Sequence, residues 1–134
     1  MKKYILFDLD GTLTDPMEGI CKSAARGLAH FGIKADYHDL TFFIGPPLLD
    51  TYRDRYGMND EQAREAVAAF REYFQPTGIY ENEIYPGIEE MLKELQDKGY
   101  FLAMATSKPE AFADIVLRHF HIRDYIKVMA GATM

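Results

Sequence analysis

The stretch "YILFDLDGTLTD", residues 4–15, decides how the chain is read. Four apolar or aromatic residues, Tyr4 through Phe7, run straight into Asp8 and Asp10, then into Gly11 and Thr12. A near-continuous apolar run over residues 3–8 predicts a parallel-sheet strand buried on both faces. Side chains two apart on a strand share a face, so Asp8 and Asp10 are expected to project together at its carboxyl end. In open α/β sheets that edge is where ligands bind. Gly11 permits a tight turn there and is expected to leave main-chain amides free for an anion. Two carboxylates facing an anion make chemical sense with a hard cation such as Mg²⁺ between them.

Outward from this stretch the pattern turns helical. Met17, Ile20, Cys21, Ala24, Ala25, Leu28 and Ala29 share one helical face, and Gly32 marks a stop. A shorter helical segment is expected after Asp36. "FIGPPLLDTYRDRYG", residues 43–57, reads as a turn at Gly45, a helix opened by its prolines and a C-cap at Gly57. Asn59 and Gln62 form the pattern of a capping box for a helix whose inner face is Ala63, Val67, Phe70 and Phe74. Residues 17–74 thus carry helices and no strand.

After "QPTGIYENEIYPG", residues 75–87, alternation begins. Pro86 opens a helix with Ile88, Met91, Leu92 and Leu95 inward, and with Glu89–Lys93 and Glu94–Lys98 paired outside. "YFLAMAT" is a second buried strand ending at Thr106. Pro109 opens a helix with Phe112, Ile115, Val116 and Phe120 inward, and "YIKVMAGA" is a third strand containing Lys127. Such alternation predicts βαβ units on a parallel, Rossmann-like α/β sheet. The expected organisation is a core of residues 1–15 and 85–134 interrupted by a helical insertion, 16–84. Thr106, Ser107 and Lys108 reach the same sheet edge as the acidic pair, at a helix N-terminus suited to an oxyanion. Acid pair, hydroxyls and lysine together describe a phosphate site.

Composition narrows the partners. The 134 residues suit one domain, or a core with an insertion, and the net charge of -6 without a basic stripe excludes nucleic acid. The one cysteine, Cys21, is expected as a small buried hydrophobe. The apolar run stops at Asp8, too early for a secretion signal, and no stretch approaches the ~20 apolar residues of a membrane span. A cytoplasmic location is expected.

"DLDGTLTD" and "ATSKP" resemble the first and second motifs of the haloacid dehalogenase superfamily of phosphohydrolases. The helical insertion, "FIGPPLLDTY" and "IYPGIEEMLKELQDKGYFLAMATSKPE" resemble the capped subfamily that includes phosphoglycolate phosphatase. The resemblance implies a Mg²⁺-dependent hydrolysis of a small phosphorylated metabolite, a phosphate monoester with phosphoglycolate as the leading candidate. Asp8 would be the nucleophile and Asp10 the general acid and base, with Mg²⁺ on the Asp8 carboxylate and the Asp10 carbonyl. Thr106, and main-chain amides after Asp8 at Leu9 and Gly11, would hold phosphoryl oxygens. Ser107 belongs to the same phosphate-binding set, and Lys108 meets the substrate's distal part. The same superfamily includes 5'-nucleotidases, pyrophosphatases, and sugar-phosphate phosphatases and mutases. Its third-motif lysine and fourth-motif acidic pair lie on later strands than those read here, so these residues alone are expected to turn over poorly, and Lys127 is not a substitute.

Plainer readings stand beside these. Asp10-Gly11 is also an ordinary turn, Thr106-Ser107 a helix cap, and Lys108 an exposed helix-start lysine. Asp15 reads as a hinge or a cap of the Met17 helix, and Tyr52, Arg53 and Arg55 either face substrate from the insertion or, more plainly, form a solvated helix face. The four histidines lack metal-like spacing. A non-catalytic phosphate-binding domain is a further alternative. A signalling receiver domain shares the acidic pair, but needs a strand ending in Asp where this chain is helical.

Overall fold

The computed structural model describes residues 3–132; Met1, Lys2, Thr133 and Met134 lie outside it. The chain divides into two compact units, residues 1–15 with 83–134, and Pro16–Asn82.

The first unit is built on a parallel sheet of three strands in the order β1 (Lys3–Phe7), β4 (Tyr100–Pro109), β5 (Val128–Ala132). Its register sets Phe7 beside Met104 and Met104 beside Met129. Two helices serve as crossovers, α4 (Ile88–Asp97) before β4 and α5 (Glu110–His119) between β4 and β5. Both crossovers step the same way across the sheet, and right-handed connections then place both helices on one face. Leu92 of α4, Phe112, Ala113, Val116 and Leu117 of α5, and Leu102 and Met104 of β4 are buried there.

The other face is exposed among the described residues. Tyr4 and Leu6 are each 69% exposed and Val128 is 53% exposed. The expectation that the first strand is buried on both faces is therefore corrected: an apolar run records a preference for burial, while the connections decide which face receives a helix. Helix α5 is also rotated from the expected face. Ile115 is exposed, and Ala113 and Leu117 take the core positions beside Phe112 and Val116. A short antiparallel ribbon, β2 (Thr14–Asp15) with β3 (Glu83–Ile84), belongs to this unit and moves its boundary two residues ahead of the expected 85. Ribbons of two residues carry too little periodicity to be read from sequence.

The second unit consists of α1 (Met17–Ala29), α2 (Leu48–Tyr56) and α3 (Asp60–Phe74) with short 3₁₀ turns between them, and has no strand among the described residues. Gly57 ends α2 in the left-handed conformation, and Asn59 and Gln62 close a reciprocal capping box at 2.8 and 3.0 Å. The segment after Asp36 is two 3₁₀ turns, Tyr37–Asp39 and Thr41–Phe43. The inner face of α3 is Ala63, Ala66, Phe70 and Phe74, with Ala66 in the place expected of Val67.

Tyr52 is the pivot of this unit. It is fully buried, and its hydroxyl donates to the Ala24 carbonyl of α1 at 3.0 Å. Gly27 makes room for it: a Cβ there would lie 2.2 Å from the Tyr52 hydroxyl and 2.8 Å from the Ala66 carbonyl oxygen. Gly27→Ala is expected to destabilise the chain by about 1–3 kcal/mol through overpacking. Tyr52→Phe is expected to cost roughly 1 kcal/mol through the lost hydrogen bond. In urea titrations the double variant should lose less than the sum of the two, because removing the hydroxyl relieves part of the clash.

Candidate active site

β1 ends at Phe7, so Asp8 and Asp10 stand on the turn that follows the strand rather than on the strand itself. One carbonyl organises that turn. The Leu9 oxygen accepts from the amides of Thr12, Leu13 and Thr14 at 3.2, 3.0 and 3.3 Å, and the Gly11 amide donates to the Thr14 carbonyl at 2.8 Å. Gly11 sits at φ 81, which an L side chain rarely adopts. Leu9 and Leu13 are fully buried and anchor the turn in the core.

This wiring separates the two aspartates. Asp8 is exposed, and its Oδ1 accepts from the Leu9 amide at 2.7 Å. Asp10 is turned inward. Its Oδ2 lies 3.3 Å from Nζ of Lys108, whose side chain is only 6% exposed, and its Oδ1 is buried without a hydrogen-bond partner among the described residues. Burial raises the Asp10 pKa above the ordinary value of 3.8; Lys108 pulls it down by charge and hydrogen bonding, and Asp8 pushes it up again. The expectation of free amides is corrected at two positions: Leu9 N–H is committed to Asp8 and Gly11 N–H to Thr14. The same bonds that form the turn consume its donors.

Lys108 reaches Asp10 because β4 is irregular. Ala105 pairs with Ala130 and Pro109 with Ala132, so Thr106, Ser107 and Lys108 together stand opposite Gly131 alone. The Thr106 hydroxyl oxygen accepts from the Lys108 amide at 3.1 Å, which fixes the bulge and leaves the hydroxyl proton for another acceptor. Ser107 is exposed at its crest. The plainer expectation of an exposed Lys108 is corrected: its side chain is buried against Asp10. A lysine beside a helix start carries no sequence signal for this, since the contact is made across two strands.

Residues of the helical unit resolve differently. Tyr52 is core, Arg53 pairs with Asp50 and with Asp60 (2.8 Å), and the Arg55 guanidinium lies 4.1 Å from the Phe42 ring centre. Asp15 lies in the β2 ribbon, and α1 begins at Met17 behind Pro16, without a side-chain cap. No group of three or more His, Cys, Asp or Glu able to hold a metal occurs among the described residues.

The electrostatics give a checkable sign. Lys108 lowers the Asp10 pKa, so Lys108→Met should raise it further. A carboxylate pKa raised by folding weakens the fold as pH climbs through it, because the native state then holds a proton the unfolded chain has released. Carboxyl ¹³C titration should place the Asp10 midpoint above 3.8 in the wild type and higher in the variant; an unmoved midpoint would refute the pairing.

With this geometry in view, the relatives are informative. The haloacid dehalogenase-like hydrolase family matches residues 5–134. A 5'-nucleotidase of Pseudomonas aeruginosa is 47% identical over 131 residues, 97% of this chain and 59% of its own length. Tyrosine-protein kinase PtkA of Mycobacterium tuberculosis is 42% identical over 98% of this chain and 45% of its own. A phosphoglycolate phosphatase of Vibrio vulnificus is 32% identical over 96% and 61%. The crystal structure of a predicted phosphatase from Clostridium acetobutylicum superposes with a TM-score of 0.94 at 42% identity, over 99% of this chain and 62% of that one. The chain thus spans about half to three fifths of these relatives. From the acidic turn after β1 to the bulge of β4, it belongs to the haloacid dehalogenase-like hydrolase family.

Proposed function

We propose that the whole protein hydrolyses small phosphate monoesters with Mg²⁺, through Asp8 and an aspartyl-phosphate intermediate. The observation that carries this reading is the contrast between the two aspartates, one exposed and one buried against a lysine. Two carboxylates in different environments can divide nucleophilic and proton-transfer work.

Asp8 attacks phosphorus with a carboxylate oxygen while the bond to the leaving oxygen breaks. Asp10, whose pKa is raised by burial, supplies the proton to that oxygen and later accepts one from the attacking water. The Thr106 hydroxyl proton is available to a phosphoryl oxygen, and Ser107 stands exposed beside it. Lys108 acts on Asp10 in this reading, rather than on the distal part of the substrate. The oxygen donors at this turn, the Asp8 carboxylate and the Asp10 main-chain carbonyl, are of the hard type that suits Mg²⁺. Bound there, Mg²⁺ would neutralise charge on the phosphoryl group.

Phosphoglycolate and nucleoside 5'-monophosphates are the leading substrates, each supported by the name of a relative. Pyrophosphate and sugar phosphates are the further arms of the screen. The helical unit is read as a substrate-selecting cap, and the cytoplasm, where such metabolites are held, as the setting. A protein-kinase activity like that of the PtkA relative is the competing reading, which transfer of phosphate to tyrosine would favour.

The test is a phosphatase assay over these substrates on this chain and on a version extended to the length of its relatives. The extended protein should release phosphate with Mg²⁺ and lose at least about three decades of rate on Asp8→Asn, since activity that survives loss of the nucleophile comes from binding and orientation alone. Wild-type turnover by Asp8→Asn would sink the assignment. The shorter chain should be slower by several decades, because each missing electrostatic group is worth a few kcal/mol in the transition state.

A further inference from the structure

We infer that Gly131 is a positioning residue: by carrying no side chain, it sets the seat of the Thr106–Lys108 bulge and hence the contact of Lys108 with Asp10. Its effect on phosphate rests on the phosphatase reading; its effect on the bulge does not.

β5 passes unusually close beneath the bulge. A Cβ at Gly131 would lie 2.7 Å from the Glu110 Cα, 2.8 Å from the Glu110 nitrogen and 2.9 Å from the Lys108 carbonyl oxygen. All three are backbone atoms, so no rotamer change relieves the overlap, and either β5 or the 108–110 backbone must shift. Thr106, Ser107 and Lys108 have only Gly131 opposite them, between the Ala105–Ala130 and Pro109–Ala132 pairs. That leaves the bulge as the part able to give. Lys108 is buried and its Nζ is 3.3 Å from Asp10, so displacement of its backbone carries the ammonium with it. The Lys108 amide is bonded to the Thr106 hydroxyl, so the hydroxyl moves too. Alanine, the smallest addition possible, is therefore enough to unseat the Lys108 ammonium and the Thr106 hydroxyl by pressing on backbone alone.

The experiment compares this chain with Gly131→Ala and with Ala130→Val, a control on the exposed, opposite side of the same strand. Carboxyl ¹³C and amide spectra should show Asp10, Thr106, Lys108 and Glu110 displaced in Gly131→Ala and undisturbed in the control. Inorganic phosphate, titrated with Mg²⁺ present, should bind Gly131→Ala about tenfold or more weakly than the control, since small misplacements of site groups cost on the order of that much. A purely structural glycine would lower the melting temperature of Gly131→Ala and leave the Asp10 carboxyl signal in place, which would overturn the proposal. Equal displacement by the control would also overturn it. Should Gly131→Ala not fold, the wild-type spectrum decides: a strong nuclear Overhauser contact between the Gly131 and Glu110 α-protons supports the proposal, and its absence overturns it. Failure of the wild-type chain to bind phosphate counts against the phosphatase reading, while the carboxyl and amide shifts still judge Gly131.

Discussion

The ion pair between Asp10 and Lys108 joins the turn after β1 to the bulge of β4, and both segments are shaped to make it. Opposite charges 3.3 Å apart attract by ~5 kcal/mol at an effective dielectric near 20. Taking each ion out of water costs several kcal/mol, so the pair is near break-even for stability. Its value is positional. Losing either partner would strand the other charge in a buried place, a cost on the order of 3–5 kcal/mol, and this couples the two segments tightly. Asp10 Oδ1 has no hydrogen-bond partner among the described residues. Buried polar atoms in native proteins are nearly always hydrogen-bonded.

The core tolerates this polar feature because it is bracketed by apolar anchors. Leu9 and Leu13 are wholly buried on either side of Asp10, and Leu102 and Met104 lie in β4 just before the bulge. The opposite face of the sheet has no such cover. Tyr4, Leu6 and Val128 form part of an exposed apolar surface, with Tyr4 packed edge-on against Phe101. At roughly 25 cal/mol per Å² of apolar surface left in water, such a face forgoes stabilisation that its strand residues are suited to provide.

Much of this was legible from local patterning. The helices α1, α2, α3 and α4, the capping box at Asn59 and the left-handed end at Gly57 follow from periodicity and punctuation, which act within one segment. The acidic turn was legible because Asp8, Asp10 and Gly11 lie side by side in the chain. What escaped depends on contacts between segments. The bare face of β1 depends on which side the crossovers take, and the burial of Lys108 depends on a register slip between β4 and β5. The committed amides of Leu9 and Gly11 escaped for a related reason: a turn tight enough to aim two carboxylates uses its own donors to hold itself.

Counting charge at the turn shows why a cation belongs to the proposed chemistry. Asp8 and Asp10 contribute two negative charges and Lys108 one positive charge when all are ionised, leaving one net negative charge against a phosphate that is itself an anion. The whole chain, at -6, repels it further. Hydroxyls of Thr106 and Ser107 can orient such a ligand but cannot reverse that sign. Protonating Asp10 brings the local sum to zero, which its burial encourages and which also readies it to donate. Only a cation added beside Asp8 makes the sum positive while leaving the Asp8 carboxylate ionised and free to attack. On this reading the buried lysine cancels the charge of the proton carrier, and the exposed aspartate is left as the place where a divalent metal and an anionic substrate meet.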